Sequence, residues 1–151
     1  MRPLESLQVT ARAADGTSSR TPLILVVEDD RETRQFYSDA LERDGFVTDQ
    51  AHNGHQALEK ALQSSPNLIL TDIAVPGIDG IELCKRLRSD ARTRAIPVIA
   101  VTGHSDRQYP DRARTAGADQ VLIKPCDADM LVRAARRLLG LQGVARADGS
   151  A

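Results

Sequence analysis

The sequence predicts an α/β protein in which five parallel strands form one sheet and five helices cover both of its faces. Three observations support this fold class. Short apolar runs alternate along the chain with longer segments whose apolar residues recur at helical spacing. The runs LILVV and LILT are almost continuously apolar, which is typical of strands buried on both faces. Strands that alternate with helices favour parallel pairing, because the crossover between two parallel strands usually contains a helix.

The first part of the pattern contains a buried strand, a helix and a more polar strand. LILVV at 23–27 predicts the buried strand, and the segment 31–43 predicts a helix that Gly45 can end. FVTDQA at 46–51 is more polar, which places the second strand nearer the edge of the sheet. The apolar stripe of the helix consists of Phe36, Tyr37, Ala40 and Leu41.

The middle of the pattern contains two helices and a second buried strand. Asn53 and Gly54 can start the second helix, which Ser-Ser-Pro at 64–66 ends. LILT at 68–71 predicts the third strand, and a helix follows over 80–90. The apolar positions of these two helices are Ala57, Leu58, Ala61 and Leu62, and then Ile81, Leu83, Cys84 and Leu87.

The last part of the pattern contains two strands and two helices. PVIAVT at 97–102 and QVLI at 120–123 predict strands. The segment 105–116 has a weaker helical pattern, in which Pro110 is expected to kink or restart the helix. Asp127 can cap the final helix. Its apolar positions are Met130, Leu131, Ala134, Ala135 and Leu138.

Composition limits the class of protein. The 151 residues, 41% hydrophobic and 27% charged, suit one globular domain. A net charge of -1 indicates no broad attraction to nucleic acid or to an anionic membrane. Cys84 and Cys126 lack the spacing of a disulfide framework or a zinc site, so reduced thiols are predicted. The N-terminus lacks a signal peptide and the chain lacks an apolar membrane span, which predicts a cytoplasmic protein.

The two ends differ in composition from the predicted domain at 22–139. Residues 1–21 and 140–151 are rich in small and polar residues without periodicity, and both are predicted to be flexible tails. Only about a dozen residues follow the last predicted helix, fewer than a folded output module needs. We therefore expect no separate output domain: either the signal leaves through a partner, or this chain is a fragment of a longer protein.

Polar residues follow four of the predicted strands. Because ligands of open α/β sheets bind beyond the carboxyl ends of the strands, these residues are expected to meet at one edge. Adjacent carboxylates repel by up to roughly 4 kcal/mol for a pair about 4 Å apart at an effective dielectric near 20, so a cation is expected to bind there. The residues are Glu28, Asp29 and Asp30 after the first strand, Asp72 after the third, Thr102 at the end of the fourth, and Lys124 and Pro125 after the fifth.

The motifs VVEDD, LTDIAVPGIDG, VIAVTG and GADQVLIKP, in that order, resemble those of a response-regulator receiver domain, the phosphate-accepting module of two-component signalling. The resemblance covers roughly residues 22–139. It implies a flavodoxin-like fold with the strand order 2-1-3-4-5. It also implies a phosphoacceptor signalling protein that catalyses its own phosphorylation and slow dephosphorylation. It does not imply an enzyme that turns over small substrates.

The resemblance implies a magnesium site and a phosphorylation site. Asp72 matches the phosphoacceptor aspartate, Asp29 the direct metal ligand and Glu28 the acid that acts through water. A backbone carbonyl near Ala74 and water would complete the shell. A hard divalent cation with oxygen ligands suits this chemistry, because a carboxylate that attacks a phosphoryl group faces an anion. Asp30 falls outside the set and is predicted to cap the first helix.

The remaining roles concern the phosphoryl group and switching. Lys124 is expected to pair with one phosphoryl oxygen and Thr102 to donate its hydroxyl to another, while the bond before Pro125 is expected to be cis. Val121 departs from the family, which commonly has Tyr or Phe three residues before the lysine, so the usual coupling of that aromatic to the Thr102 hydroxyl is in question. Ala74 and His104 flank the site and are candidates for tuning phosphate lifetime, in a direction that the sequence does not give.

The implied partners are a histidine kinase or histidine phosphotransfer protein as donor and a downstream protein target. A phosphorylation-dependent homodimer is a further expectation, and no direct nucleic-acid or membrane partner is expected. Two alternatives stay open. One is a receiver-like interaction module without a phosphorylation cycle, and the other is a haloacid-dehalogenase-like phosphatase, whose general acid would fall at Ala74. His52 and His55 have the spacing of a metal pair but no third ligand nearby, so exposed histidines are the preferred interpretation.

Overall fold

The strands form one parallel sheet. The computed structural model describes residues 21–103 and 108–141. The sheet has the order β2-β1-β3-β4-β5, and each neighbouring pair is parallel. The predicted fold class and strand order are thereby confirmed. The strands are β1 Leu23–Val27, β2 Val47–Ala51, β3 Leu68–Asp72, β4 Val98–Thr102 and β5 Gln120–Ile123.

Each strand is followed by a helix. Four of the helices begin after a residue whose side-chain oxygen accepts a backbone N–H three positions later. Such a cap satisfies one of the amides that the first turn leaves unpaired. The capping residues are Asp30, Asn53, Asp79 and Asp127. The helices are α1 Arg31–Arg43, α2 Gly54–Ser64, α3 Gly80–Arg88, α4 Gln108–Ala116 and α5 Ala128–Leu138.

Two apolar cores lie on opposite faces of the sheet. On one face α2, α3 and α4 pack over alternate strand residues such as Leu25 and Ile69. On the other face α1 and α5 pack over the intervening residues, such as Val26 and Leu70. All residues of β3 and β4 are buried. This two-sided burial explains why their sequences are almost continuously apolar.

The observed elements differ from the predicted ones mainly at their ends. The edge strand β2 begins at Val47 and has a half-exposed pattern, as its polar sequence predicted. The helix predicted over 80–90 ends at Arg88. The expected restart at Pro110 is wrong, because α4 runs from Gln108 through Pro110 without a break. Pro110 lies in the first turn of the helix, where an amide has no intrahelical acceptor to lose.

Some expectations concern residues beyond those described. The predicted tails at 1–21 and 140–151 lie outside the described residues except for Thr21, Gly140 and Leu141. The start of the helix predicted at 105 and the side chain of His104 lie outside them too. Across the described ranges, every helix is too short or too polar to cross a bilayer.

Candidate functional site

Three carboxylates meet at the carboxyl ends of β1 and β3. The two strands are neighbours, so the turn after β1 faces the end of β3. One ligand oxygen from each of Glu28, Asp29 and Asp72 can be chosen so that all three lie within 4.8 Å of one another. Glu28 and Asp72 are buried, whereas Asp29 is exposed. In residues 21–103 and 108–141, this is the only cluster of three or more potential metal ligands of these types. His52 and His55 are not part of it.

Lys124 brings a positive charge to this cluster from β5. Its Nζ donates to Asp72 Oδ2 at 3.1 Å and lies 4.0 Å from Glu28 Oε1. Its backbone amide donates to the carbonyl oxygen of Thr102 at 2.8 Å, which fixes the start of the loop against β4. The peptide bond between Lys124 and Pro125 is cis. Because β1 and β5 lie on opposite sides of β3 in the sheet, the ammonium group of Lys124 approaches Asp72 from the side away from β1.

Glu28 occupies an unfavourable environment for an anion. Its side chain is only 2% exposed. Oε2 accepts the Asp30 amide at 3.0 Å, whereas Oε1 has no hydrogen-bond partner within residues 21–103 and 108–141. Burial raises the pKa of the Glu28 carboxyl to about 7, and the nearby Asp72 carboxylate acts in the same direction. A buried carboxylate oxygen without a donor is costly unless something cationic satisfies it.

The donor set fits magnesium. The potential ligand atoms of the cluster are all carboxylate oxygens, which hard divalent cations prefer. The unpartnered Glu28 Oε1 offers a lone pair to a metal-bound water or to the metal. Ala74, the residue predicted to offer a carbonyl, is exposed in the loop that follows β3.

Asp30, the third acid of the run, has a different role. Its Oδ2 accepts from the Thr33 amide at 2.9 Å and from the Thr33 hydroxyl at 2.6 Å. These hydrogen bonds lower the pKa of the Asp30 carboxyl. It caps α1, as predicted.

Thr102 ends β4 and is 3% exposed. Its hydroxyl donates to the Gly103 carbonyl oxygen at 3.5 Å, a long contact. Asp72 pairs in register with Val101, the residue before Thr102. The sheet thus places the hydroxyl one residue beyond the partner of Asp72, at the same edge.

Val121 is half-buried and packs against the core formed under α2, α3 and α4. Tyr109 of α4 packs against the same core. The position that the family commonly fills with an aromatic side chain is therefore aliphatic and part of the core. The aromatic side chain that packs against this core comes from α4, as Tyr109.

Two site residues escaped the sequence analysis. Gly80, the first residue of α3, lies so close to the end of β3 that a Cβ there would be 2.7 Å from both the Asp72 carbonyl oxygen and the Ile73 Cα. Arg34 of α1 donates to the backbone carbonyl oxygen of Glu28 at 2.9 Å. Gly80 could have been noticed in the sequence, because it directly follows Asp79, the capping residue of α3. Arg34 could not, because it resembles an ordinary residue on a helix surface.

Comparison with known proteins identifies the family. The chain matches the response regulator receiver domain over residues 24–136, and it belongs to that family. It is 33% identical over 117 residues to the polar-differentiation response regulator DivK of Brucella anthropi, which covers 78% of this chain and 95% of DivK.

Solved structures agree with this assignment. The receiver domain of a signal transduction histidine kinase from Syntrophus aciditrophicus is 35% identical and superposes with a TM-score of 0.75, covering 83% of this chain and 94% of that one. The receiver domain of a sensor histidine kinase from Pseudomonas aeruginosa is 26% identical with a TM-score of 0.75, covering 80% and 99% of the two chains. That structure has a magnesium ion coordinated in its active-site cleft.

Proposed function

We propose that this chain accepts a phosphoryl group from a phosphohistidine donor onto Asp72 and signals through an altered protein-binding surface. The observation that carries the proposal is the convergence on Asp72 of two further carboxylates within 4.8 Å and the Lys124 ammonium at 3.1 Å. Family membership supports the same activity. The donor would be a histidine kinase or a histidine phosphotransfer protein.

In the proposed reaction, an Asp72 carboxylate oxygen attacks the phosphorus atom of the donor. The phosphorus–nitrogen bond breaks as the new phosphorus–oxygen bond forms, and the imidazole leaves with the electron pair and takes a proton from solvent. The transferred group is anionic, so positioning and charge stabilisation supply most of the rate. Lys124 would pair with one phosphoryl oxygen. The Thr102 hydroxyl would give up its long contact with the Gly103 carbonyl oxygen and donate instead to a second phosphoryl oxygen.

Magnesium belongs to this proposal. Asp29 and Asp72 would hold the ion directly, Glu28 through water, and the Ala74 carbonyl would complete the protein ligands. When bound, the ion would neutralise charge on the phosphoryl oxygens. The magnesium ion in the related Pseudomonas aeruginosa receiver domain supports this assignment.

A cavity supports access for the donor. It has a volume of about 630 Å³ and lies between α1 and the loop after β5, beside Lys124. Phe36, which is 43% exposed, and Pro125 contribute apolar surface to it. An apolar protein surface that docks here would bring its phosphohistidine to the side of the cluster where Lys124 lies. The free thiols of Cys84 and Cys126 support a reducing, cytoplasmic setting for the exchange.

Phosphorylation of the intact protein tests the proposal. With Mg²⁺ and acetyl phosphate, intact mass spectrometry should show a labile addition of one phosphate, about 80 Da. Asp72→Asn and the omission of Mg²⁺ should each abolish it. Asp30→Asn is the matched control: it removes a neighbouring acid while Asn still caps α1, so the addition should persist.

The outcome also separates the alternatives. A protein that stays unmodified under these conditions would be an interaction module that uses the fold without a phosphorylation cycle, an idea that Val121 motivates. Sustained hydrolysis of small phosphate esters would indicate a phosphatase.

The face formed by α4, β5 and α5, which exposes Ile123 and Met130, supports a downstream protein target. Size-exclusion chromatography with and without acetyl phosphate tests a phosphorylation-dependent homodimer.

A further inference from the structure

Arg34 ties α1 to the acidic turn. From its half-buried position it donates Nη1–H to the Glu28 carbonyl oxygen at 2.9 Å. The Glu28 amide, on the other side of the same residue, donates to the Ala51 carbonyl oxygen of β2 at 3.0 Å. Both backbone polar groups of Glu28 are therefore held, one by the sheet and one by Arg34.

The guanidinium has a built seat of its own. Arg34 Nε donates to Gln50 Oε1 at 3.0 Å, and Gln50 Nε2 donates to the Ser38 hydroxyl at 3.0 Å. Ser38 is fully buried. Two separate donors of Arg34 are thus fixed, one on β2 and one on the acidic turn, which is a geometry that the planar guanidinium supports and a lysine does not.

The turn needs this support because its side chains repel one another. Glu28 and Asp29 are adjacent, and both face Asp72 within 4.8 Å. A turn free to rotate would separate the carboxylates and dismantle the ligand set. We propose that Arg34, seated by Gln50 and Ser38, is a positioning residue that holds the turn after β1 in the geometry that binds the divalent cation. This inference rests on the proposed function and extends it to the groups behind the ligands.

Charge and position predict opposite effects of removing Arg34. Arg34 is a cation close to a cation site, so loss of its charge alone should tighten Mg²⁺ binding. Loss of a group that orients the ligands should weaken binding, by about tenfold at the low end for such outer groups. The sign of the change therefore distinguishes a positioning role from a purely electrostatic one.

The experiment uses NMR on the whole chain, because the sequence contains no tryptophan to report binding by fluorescence. Mg²⁺ is titrated into wild type and into Arg34→Met, Arg34→Lys and Gln50→Ala. Arg31→Met is the matched control, since Arg31 is an exposed arginine of the same helix. We expect Arg34→Met to weaken Mg²⁺ about tenfold. Smaller losses are expected for Arg34→Lys and Gln50→Ala, with unchanged or slightly tighter binding for Arg31→Met.

A second measurement needs no metal. In the Mg²⁺-free proteins, backbone relaxation of residues 28–30 should show increased mobility in Arg34→Met and Gln50→Ala but not in Arg31→Met, while β3 and β4 stay rigid. Unchanged mobility, or tighter Mg²⁺ binding in Arg34→Met, would overturn the positioning role. If wild type binds no Mg²⁺, the magnesium site of the proposed function fails, and the mobility of residues 28–30 alone decides whether Arg34 orders the turn.

Discussion

Glu28 combines an environment that is unfavourable for a carboxylate with a position that suits the proposed cation. It is 2% exposed, one of its carboxylate oxygens has no hydrogen-bond partner in the described part of the chain, and Asp72 lies close by. The 4.0 Å approach of Lys124 offsets part of this cost. A carboxylate held in this state gains more from a cation than a solvated one does, because little hydration is lost when the ion arrives.

Replacement of this carboxylate should stabilise the metal-free protein. Above pH 7, where the Glu28 carboxyl is ionised, we expect Glu28→Gln to raise the free energy of unfolding in EDTA by about 1 kcal/mol, because it removes one charge from the cluster while a side-chain oxygen can still accept the Asp30 amide. Urea denaturation measures this. With Mg²⁺ added in excess, the wild type should gain stability and the variant should gain less.

The matched control is Glu32→Gln, an exposed acid in the first turn of α1. It should leave the response to Mg²⁺ unchanged and cost a few tenths of a kcal/mol through the helix dipole. A Glu28→Gln protein less stable than wild type in EDTA would show that the buried carboxylate contributes to folding rather than opposing it.

At the scale of elements, the loop from β3 to α3 is fixed by close backbone approach. The Gly80 amide donates to the Ile73 carbonyl oxygen at 2.8 Å, which brings the start of α3 against the end of β3. At the other side of the loop, a Cβ on Gly54 of α2 would lie 2.0 Å from the Ile78 carbonyl oxygen. The loop that follows Asp72 is therefore held between the first residues of two helices.

A methyl group at Gly80 should disturb this arrangement. We expect Gly80→Ala to lower the free energy of unfolding by about 2 kcal/mol, because both close neighbours of the new Cβ are backbone atoms that cannot rotate away. Gly103→Ala is the control, since a Cβ at Gly103 meets no atom of the described residues within 4 Å. Urea denaturation compares them, and equal stability of Gly80→Ala and wild type would show that the loop adjusts freely.

These elements also show what the sequence can and cannot predict. LILVV at 23–27 correctly predicted a buried strand, because a strand that is buried on both faces is apolar at every position and this can be read from the sequence. Pro110 misled because its effect depends on its distance from the start of the helix, and the pattern of α4 was too weak to locate that start. The contacts of Gly80 and Arg34 arise between segments distant in sequence or across a turn, and single-residue propensities do not encode them.

The residues of the candidate site were found because four strands end at one edge. Each of Asp72, Thr102 and Lys124 directly ends or follows a strand, so a parallel sheet brings them together whatever the details of packing. The different environments of the three acids after β1 could not be predicted from the sequence. Burial of Glu28, exposure of Asp29 and the capping role of Asp30 depend on how the turn after β1 bends.

At the scale of the whole molecule, the two ends of the sheet have separate tasks. The carboxyl ends of the strands carry the acidic cluster, while Arg88 joins three segments at the amino ends. Its guanidinium donates to the carbonyl oxygens of Gly117 and Ile96 and to Asp119 Oδ2, with distances of 2.7 to 3.1 Å. Asp119 in turn accepts the Val98 amide at the start of β4. Arg88 thus connects the end of α3, the entry to β4 and the turn before β5.

This division predicts that stability and phosphorylation can be altered separately. We expect Arg88→Met to lower the free energy of unfolding by roughly 2 kcal/mol, because several carbonyl groups and one carboxylate lose a charged donor. Arg86→Met, two positions earlier on α3, is the control: its ion pair with Glu82 is about half exposed and should contribute less than about 0.5 kcal/mol. Measured by intact mass under conditions where both variants are folded, the rate of phosphorylation by acetyl phosphate should match that of wild type, since Arg88 contacts no residue of the acidic cluster. A slower rate in folded Arg88→Met would mean that the amino ends of the strands influence the site through the sheet.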